Sequence, residues 1–183
     1  RNTVLIDVHF DSRSGAQLRV YYDPSLNNSG MHDSAWTEGD ALVAVDGNKA
    51  SALMSSCGFG DVKTEQEGNV VHIGSLERER CTLALGFGAT TAEAVSAARF
   101  SLARGFEAVK REYESGWQRY VTTLPRIAKH QRQFNMAAMV LKGLEDKTFR
   151  GASIASPSVP WGGGPNANEP TVSGYHGVWA RDL

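Results

Sequence analysis

The chain has 183 residues, of which 41% are hydrophobic and 21% charged, and its formal net charge is −1. This length predicts one large domain or parts of two, with enough apolar residues for a core. The balanced charge, without a basic run, argues against a nucleic-acid partner. No apolar stretch approaches the roughly 18 residues of a membrane span, so no membrane partner is predicted. The sequence starts within a strand pattern and stops directly after an aromatic motif, and we therefore expect a fragment that lacks polypeptide on both sides.

The first part of the chain has the composition of β-strands. Residues 3–10 (TVLIDVHF) and 17–23 (QLRVYYD) are enriched in β-branched and aromatic residues, and residues 12–15 between them have turn composition. Residues 24–36 are rich in Asn, Ser and Gly and are predicted to be a loop. Residues 41–56 are two apolar runs joined by Asp-Gly-Asn, which predicts a hairpin because Asp-Gly suits a tight turn.

Two further strands are predicted before the first helix. Residues 57–68 are predicted to be a loop, and residues 69–76 and 80–88 are strands on either side of a charged turn. Six strands with short connections and no intervening helix predict an antiparallel β-sandwich. The unpaired edges of such a piece indicate that earlier strands of a larger sandwich are missing.

After residue 89 the apolar period becomes helical. Thr90 and Glu93 form a capping box, in which both side chains accept hydrogen bonds from backbone donors at a helix start. Apolar residues then recur every three or four positions up to Tyr113, and Gly116 is predicted to end this linker helix. Pro125 is predicted to lie in the first turn of a second helix, which ends before Lys147.

The remaining residues carry few signals for catalysis or metal binding. Nucleophile and zinc-ligand motifs are absent, so no catalytic residue, metal or cofactor is predicted. Asn27, Asn28 and Asp33 are oxygen ligands of the kind calcium uses, but they lack EF-hand spacing. Cys57 and Cys81 have no CxxC spacing, which favours two buried thiols, with a disulfide as the alternative.

The segment 151–183 combines aromatic rings and charges in a loop, with a third helix predicted to begin near residue 175. Arg181 and Asp182 near Trp179 and Tyr175 have two interpretations. One is a buried ion pair in an aromatic core. The other is a sugar subsite, because a guanidinium and a carboxylate bind hydroxyls while a ring covers the apolar face of a pyranose.

Two sequence motifs resemble a known family. GASIASPSVPWGG (151–163) followed by SGYHGVWARDL (173–183) resembles the start of the catalytic domain of bacterial glucoamylases and glucodextranases, the family 15 glycoside hydrolases. YYDPSLNNSGMHDSAW (21–36) resembles part of the β-sandwich domain that precedes it. The segment NANEPTVSG (166–174) departs from the acidic run of the family, which affects the expected substrate preference.

The resemblance implies a β-then-α multidomain fold in three parts. These are the C-terminal part of a β-sandwich (1–89), a linker helix region (90–124) and the first helices of an (α/α)6 catalytic barrel (125–183). It also implies a substrate subsite for the non-reducing terminal glucose. The residues expected to form it are Tyr175, Trp179, Arg181 and Asp182, with Trp161 at its border.

The function implied is that of an inverting exo-acting α-glucosidase that is inactive as this fragment, because its two catalytic glutamates are expected further along the chain. Its implied partners are an α-glucan or a malto- or isomalto-oligosaccharide and the remainder of its own polypeptide, and its implied location is secreted or periplasmic. The alternatives are a glucodextranase that cuts α-1,6 links, a non-catalytic carbohydrate-binding or structural sandwich module, and a phosphorolytic enzyme of the same architecture.

Overall fold

The computed structural model describes residues 2–11, 16–28, 33–65, 71–76, 78–146, 149 and 151–154. The described residues divide into two compact units, with the boundary between Lys110 and Arg111. This boundary lies inside a helix and does not test the predicted domain limits at residues 89 and 124, which stay predictions. The two units are described in turn.

The first unit contains eight strands and one complete helix. Its strands are β1 (Thr3–His9), β2 (Arg19–Tyr22), β3 (Ser34–Glu38), β4 (Ala41–Asp46), β5 (Lys49–Ser55), β6 (Gly60–Glu65), β7 (Val71–Ser75) and β8 (Arg80–Gly88). They form a five-stranded sheet in the order β1-β8-β5-β4-β3 and a three-stranded sheet in the order β2-β7-β6. All pairings are antiparallel, which confirms the predicted sandwich class.

The central strands of the five-stranded sheet, β4, β5 and β8, are covered on both faces. On one face Leu42, Leu53 and Leu83 pack with residues of the three-stranded sheet such as Tyr22. The opposite face packs against α1 (Thr91–Arg104), and its core consists mostly of small residues: Ala41, Val43, Ala50, Ala52, Met54, Ala84, Ala94, Val95 and Ala98. Burial on both faces explains why β4 and β5 are continuous apolar runs.

The predicted hairpin and capping box are both present. β4 and β5 pair from Ala41–Met54 to Asp46–Lys49, and Gly47 has the positive φ (55°) that a tight turn requires. At the start of α1, the Thr90 hydroxyl accepts a hydrogen bond from Glu93 N (3.2 Å). The Glu93 carboxylate accepts from Ala89 N (2.8 Å), one residue before the N-cap, so the box is reciprocal but shifted by one position.

Two regions predicted as loops are strands. Part of 24–36 is strand β3, and part of 57–68 is β6. Both strands lie at the edge of a sheet, where few of their side chains are covered. In β3 only Ala35 is buried, and β6 alternates between half-buried and exposed residues. The apolar pattern was too weak to predict them, because an edge strand needs few apolar side chains.

The predicted end of the first helix and the predicted start of the second were wrong, whereas the second helix does end before Lys147. The first helix, α1, ends at Arg104 and is capped by Gly105 (φ 78°), and a separate helix, α2 (Phe106–Thr122), runs through Gly116. The apolar stripe continues across the break at Gly105, so the periodicity of the sequence did not indicate that the helix is interrupted there. Helix α3 (Gln131–Gly143) begins six residues after Pro125, which therefore does not lie in its first turn. The Gln131 side chain accepts from Ile127 N (2.7 Å) and donates to Pro125 O (3.2 Å). These two backbone groups therefore have hydrogen-bond partners without being in a helix.

The two cysteines form a disulfide, which corrects the preference for free thiols. Cys57, after β5, is linked to Cys81 in β8, and their Cα atoms are 5.7 Å apart. Sequence spacing did not indicate this pair, because the register between β5 and β8 brings the two positions together.

Candidate functional site

The predicted substrate residues lie outside the described residues. Trp161, Tyr175, Trp179, Arg181 and Asp182 all follow Ile154, the last residue that the structure describes. Their arrangement therefore stays a prediction. The structure describes the turn that leads into this segment, and it describes the polar interior and the surface grooves of the sandwich.

The chain turns back on itself directly after α3. Glu145 and Ser153 form an antiparallel bridge, Asp146 N donates to Ala152 O (2.8 Å), and Ile154 N donates to Leu144 O (3.2 Å). These backbone bonds fix both the end of the helix and the start of the predicted substrate segment.

Side chains reinforce this turn. The Glu145 carboxylate pairs with Lys142 and also accepts from Gly151 N (3.0 Å), while Asp146 Oδ1 accepts from Phe149 N (2.7 Å). Gly151 has a φ of 88°, which favours glycine. The Glu145 side chain is only 17% exposed. Its ion pair and hydrogen bond explain why this carboxylate is largely buried.

A buried polar cluster links the two sheets of the sandwich. The side chain of His72 in β7 is fully buried and stacks on Tyr22 in β2, with ring centroids 5.7 Å apart. His72 Nε2 lies 3.0 Å from Val43 O in β4, and Nδ1 lies 2.9 Å from the Thr64 hydroxyl in β6. The Tyr22 hydroxyl lies 2.5 Å from that of Ser51 in β5. Each of these partners is on a different strand, so sequence spacing gave no signal for them.

The cluster is held in its neutral form. Burial lowers the pKa of His72, against the raising effect of its hydrogen bond to Val43 O. A neutral imidazole fits this site, with Nε2–H donating to Val43 O and Nδ1 accepting from Thr64. Burial raises the pKa of Tyr22 to about 12; the hydrogen bond to Ser51 opposes this shift and the charge of Asp33 adds to it. The cluster therefore braces the two sheets with neutral side chains.

Two grooves lie along α1. One, of about 730 Å³, is lined at its polar side by Asn2, Lys49 and Glu93, and the other, of about 480 Å³, includes Glu38 and Arg99. Each is lined by one carboxylate: Glu93 caps α1, and Glu38 accepts from Trp36 Nε1 (3.4 Å). Acid–base hydrolysis of a glycoside uses two carboxylates, so neither groove has that constellation.

The described residues offer little for a metal ion. They contain no group of three or more His, Cys, Asp or Glu side chains placed to hold one. Asn27, one of the three oxygen ligands considered for calcium, instead donates to the backbone oxygen of Asp46 (2.8 Å) and to its carboxylate (3.1 Å). This residue braces the β4–β5 turn. None of the described helices combines the length and apolarity needed to cross a bilayer.

The fold defines a class of protein: a two-sheet antiparallel sandwich followed in sequence by helices. Comparison with known proteins is more specific. Residues 1–65 and 60–122 match the family described as glucodextranase, domain N. The match covers more than half of the chain, and the chain belongs to this family.

Two glucoamylases are similar over the entire chain. The glucoamylase of Clostridium sp. (strain G0005) is 28% identical over 218 aligned positions, which include 100% of this chain and 31% of the relative. A crystal structure of a bacterial glucoamylase complexed with acarbose superposes with a TM-score of 0.85 and 27% identity, over 99% of this chain and 32% of that one. The chain thus spans about a third of each relative's length. The matches confirm the resemblance and the predicted order of a sandwich followed by helices.

Proposed function

We propose that this chain is part of an inverting exo-acting α-glucosidase of the glucoamylase type, which releases glucose from the non-reducing ends of α-glucans. The observation that supports this most is the structural match to the glucoamylase with bound acarbose, at a TM-score of 0.85 over 99% of the chain. The Clostridium glucoamylase, similar along the whole chain, supports the same function.

The contribution of this chain to that function is substrate binding. In the proposal, the rings of Tyr175 and Trp179 cover the apolar face of the terminal glucose, and Trp161 borders the same pocket. Arg181 and Asp182 hydrogen-bond adjacent hydroxyls, because a planar guanidinium and a carboxylate each engage two neighbouring groups. A water-excluding pocket with a few fixed polar groups is the general design of such sites.

The chemistry is proposed to lie in the remainder of the polypeptide. An inverting glycosidase uses one carboxylic acid to protonate the glycosidic oxygen and one carboxylate to activate water on the opposite face of the sugar. The two are roughly 6.5–9.5 Å apart. We propose that both are glutamates beyond Leu183 and that the 183-residue chain alone is inactive.

A second candidate differs in the linkage that is cut. The family that matches residues 1–122 is named after glucodextranase, which favours α-1,6 hydrolysis. Both named relatives of the whole chain are glucoamylases, and we therefore place α-1,4 hydrolysis first.

The test is the reaction of the full-length protein with maltotetraose and isomaltotetraose, followed by proton NMR with and without phosphate. We expect β-glucose to appear first from maltotetraose without added phosphate. Faster release from isomaltotetraose would favour the glucodextranase, and glucose 1-phosphate would indicate phosphorolysis. Oligosaccharide binding without product would favour the non-catalytic module. Initial release of α-glucose would contradict inversion.

The proposal also covers location and the remainder of the chain. Disulfides persist in oxidising compartments, so the Cys57–Cys81 bond supports a secreted or periplasmic protein. The side chains of Val140, Leu141 and Phe149 are exposed in the second unit, which supports packing against the remaining polypeptide.

A further inference from the structure

We propose that the larger sheet continues beyond β1, and that a further strand of the same polypeptide, outside residues 1–183, pairs with its free edge. The proposal concerns an interaction surface and does not depend on the reaction that the protein catalyses. Among the described residues four strands lie at sheet edges, namely β1 and β3 in one sheet and β2 and β6 in the other. The features of β1 distinguish it from the other three.

Three of the four edges have the character of permanent edges. A strand that stays at an edge is usually protected from pairing with other chains by charged side chains or by its shortness. In β6 the exposed side chains are all charged: Asp61, Lys63 and Glu65. Strand β2 has four residues and begins with Arg19, and β3 has five residues and is polar at three of its four exposed positions. These edges therefore need no further strand.

Strand β1 lacks this protection. It is seven residues long, and the side chains of Val4 and Ile6 are 51% and 45% exposed. Asp7 is the only Asp, Glu, Lys or Arg in the strand. A long edge strand with exposed apolar side chains favours pairing with another strand. The composition of β1 is therefore that of an internal strand.

The backbone of β1 presents a row of hydrogen-bonding groups at this edge. Phe87 N donates to Asn2 O (2.9 Å), and Phe10 N donates to Glu79 O (2.8 Å), so the even-numbered residues of β1 form the hydrogen-bonded pairs with β8. The N–H groups of the odd-numbered residues point away from β8, and these residues are Thr3, Leu5, Asp7 and His9. None of the described strands pairs with this side of β1.

The side chains indicate that this end of the sandwich is incomplete. Val4 lies opposite Leu85 in β8 and shares a face with it, and Phe87 on the same face is 39% exposed. At the other end of β1, Val8 packs against the core that the two sheets share. The Thr3 hydroxyl is buried and has no hydrogen-bond partner among the described residues. A strand alongside β1 would cover the exposed side chains and offer such a partner.

The length of the relatives favours the same polypeptide as the source of this strand. The chain spans 31% of the Clostridium glucoamylase and 32% of the bacterial glucoamylase of known structure, so the relatives have ample polypeptide for additional strands. A strand of the same polypeptide is present at a high effective concentration, whereas a second copy has to be recruited from solution. Edge-to-edge pairing of two copies is the alternative that the experiment tests.

The first measurement is hydrogen exchange of the full-length protein, with mass spectrometry and fragmentation of the β1 peptide to single residues. We expect the odd-numbered amides of β1 to have protection factors within about tenfold of the even-numbered ones, because both rows are hydrogen-bonded in an internal strand. Exchange of the odd-numbered amides more than about tenfold faster would show a free edge and overturn the proposal. Light scattering of the same sample gives the oligomeric state, and protection that is present only in a dimer would assign the edge to a second copy and overturn it as well.

The second measurement compares Asp7→Pro with Asp7→Ala in the full-length protein. Asp7 is exposed and its N–H points away from β8, so proline there removes a hydrogen bond only when another strand pairs with this edge. Asp7→Ala keeps the N–H and is the matched control. We expect the melting temperature of Asp7→Pro to lie at least about 5 °C below that of Asp7→Ala. Equal melting temperatures would contradict the proposal, and the exchange of the parent protein decides if Asp7→Pro does not fold.

Discussion

His72 illustrates how a single residue can connect two sheets. It lies in β7 of the smaller sheet, but its ring nitrogens contact Thr64 in the neighbouring strand and the backbone of Val43 in the larger sheet. A buried polar group without partners costs about 1–3 kcal/mol, so each of these bonds matters for stability. His72 is therefore a brace in the core of the sandwich.

The buried His72 predicts a loss of stability at acidic pH. Burial lowers the pKa of this base in the folded protein, so the unfolded chain binds the proton more readily as pH falls below about 6.5. The stabilisation is complete above that pH, declines as pH falls through the interval down to the folded-state pKa, and then levels. Hydrogen exchange of peptides from β7 can be measured by mass spectrometry in the full-length protein. The protection factor, which is the intrinsic exchange rate divided by the measured one, should fall as the pH is lowered from 7.5 to 5.

The control for this prediction is His72→Gln, whose amide does not titrate. We expect lower protection factors for the β7 peptides of this variant at every pH. The difference between pH 7.5 and 5 should be smaller than in the parent protein. An equal pH dependence in both proteins would assign the effect to other groups.

A second prediction at this scale concerns Asp182. Its replacement by Ala in the full-length enzyme should lower kcat/KM at least about 100-fold, because hydrogen bonds to sugar hydroxyls that strengthen in the transition state supply several kcal/mol. Initial rates on maltotetraose at low substrate concentration measure this directly. Activity within about threefold of the parent would remove Asp182 from the subsite.

At the scale of elements, α1 lies unusually close to β8. A Cβ atom at Gly86 would lie 2.8 Å from the backbone nitrogen of Ala98 and 3.1 Å from its side chain. Ala94, Ala98 and Ala84 fill the same interface. Small residues on both elements allow the helix backbone to approach the sheet, which is why α1 can cover it with little apolar bulk.

Gly86→Ala should therefore destabilise the first unit. The added methyl group meets helix backbone, which cannot move aside without shifting α1, and overpacking of this kind costs about 1–3 kcal/mol. The matched control is Gly116→Ala, whose Cβ meets nothing within 4 Å inside α2. This control should stabilise by about 0.5–1 kcal/mol, since glycine is unfavourable in a helix interior. Calorimetric melting of the full-length protein compares the two, and similar shifts in both variants would argue against the close contact.

At the scale of the whole molecule, the second unit carries apolar surface that its own helices do not bury. Tyr113, Trp117 and Tyr120 pack edge to face along α2, and the Tyr120 hydroxyl donates to Ala138 O (3.3 Å) in α3. Yet Leu141 remains 66% exposed. Exposed apolar surface of this kind favours packing against further polypeptide.

The proposed packing with the remaining polypeptide predicts the effect of Leu141→Lys in the full-length protein. If later helices cover Leu141, the substitution should cost about 1.5–3 kcal/mol, the value of burying a leucine side chain. Gln133→Lys, at an exposed polar position of the same helix, should remain within about 0.5 kcal/mol. Thermal melting distinguishes them, and a neutral Leu141→Lys would show that this face stays in water.

The amino-acid sequence by itself determined the class of fold and the order of its parts. The β4–β5 hairpin, the Thr90 capping box and the apolar stripes depend on residues near one another in the chain, where local sterics and periodicity decide the structure. Sequence motifs also indicated the family, which the comparisons confirm. The substrate residues from Trp161 to Asp182 remain a sequence prediction.

The tertiary structure alone decided the features that depend on distant partners. Strands β3 and β6 form because a neighbouring strand offers hydrogen bonds, although their own apolar pattern is weak. The Cys57–Cys81 disulfide depends on the register between β5 and β8, and the His72 brace joins strands that are far apart in sequence. Such contacts leave no local signal, because each residue's role is set by a partner that only folding brings within reach.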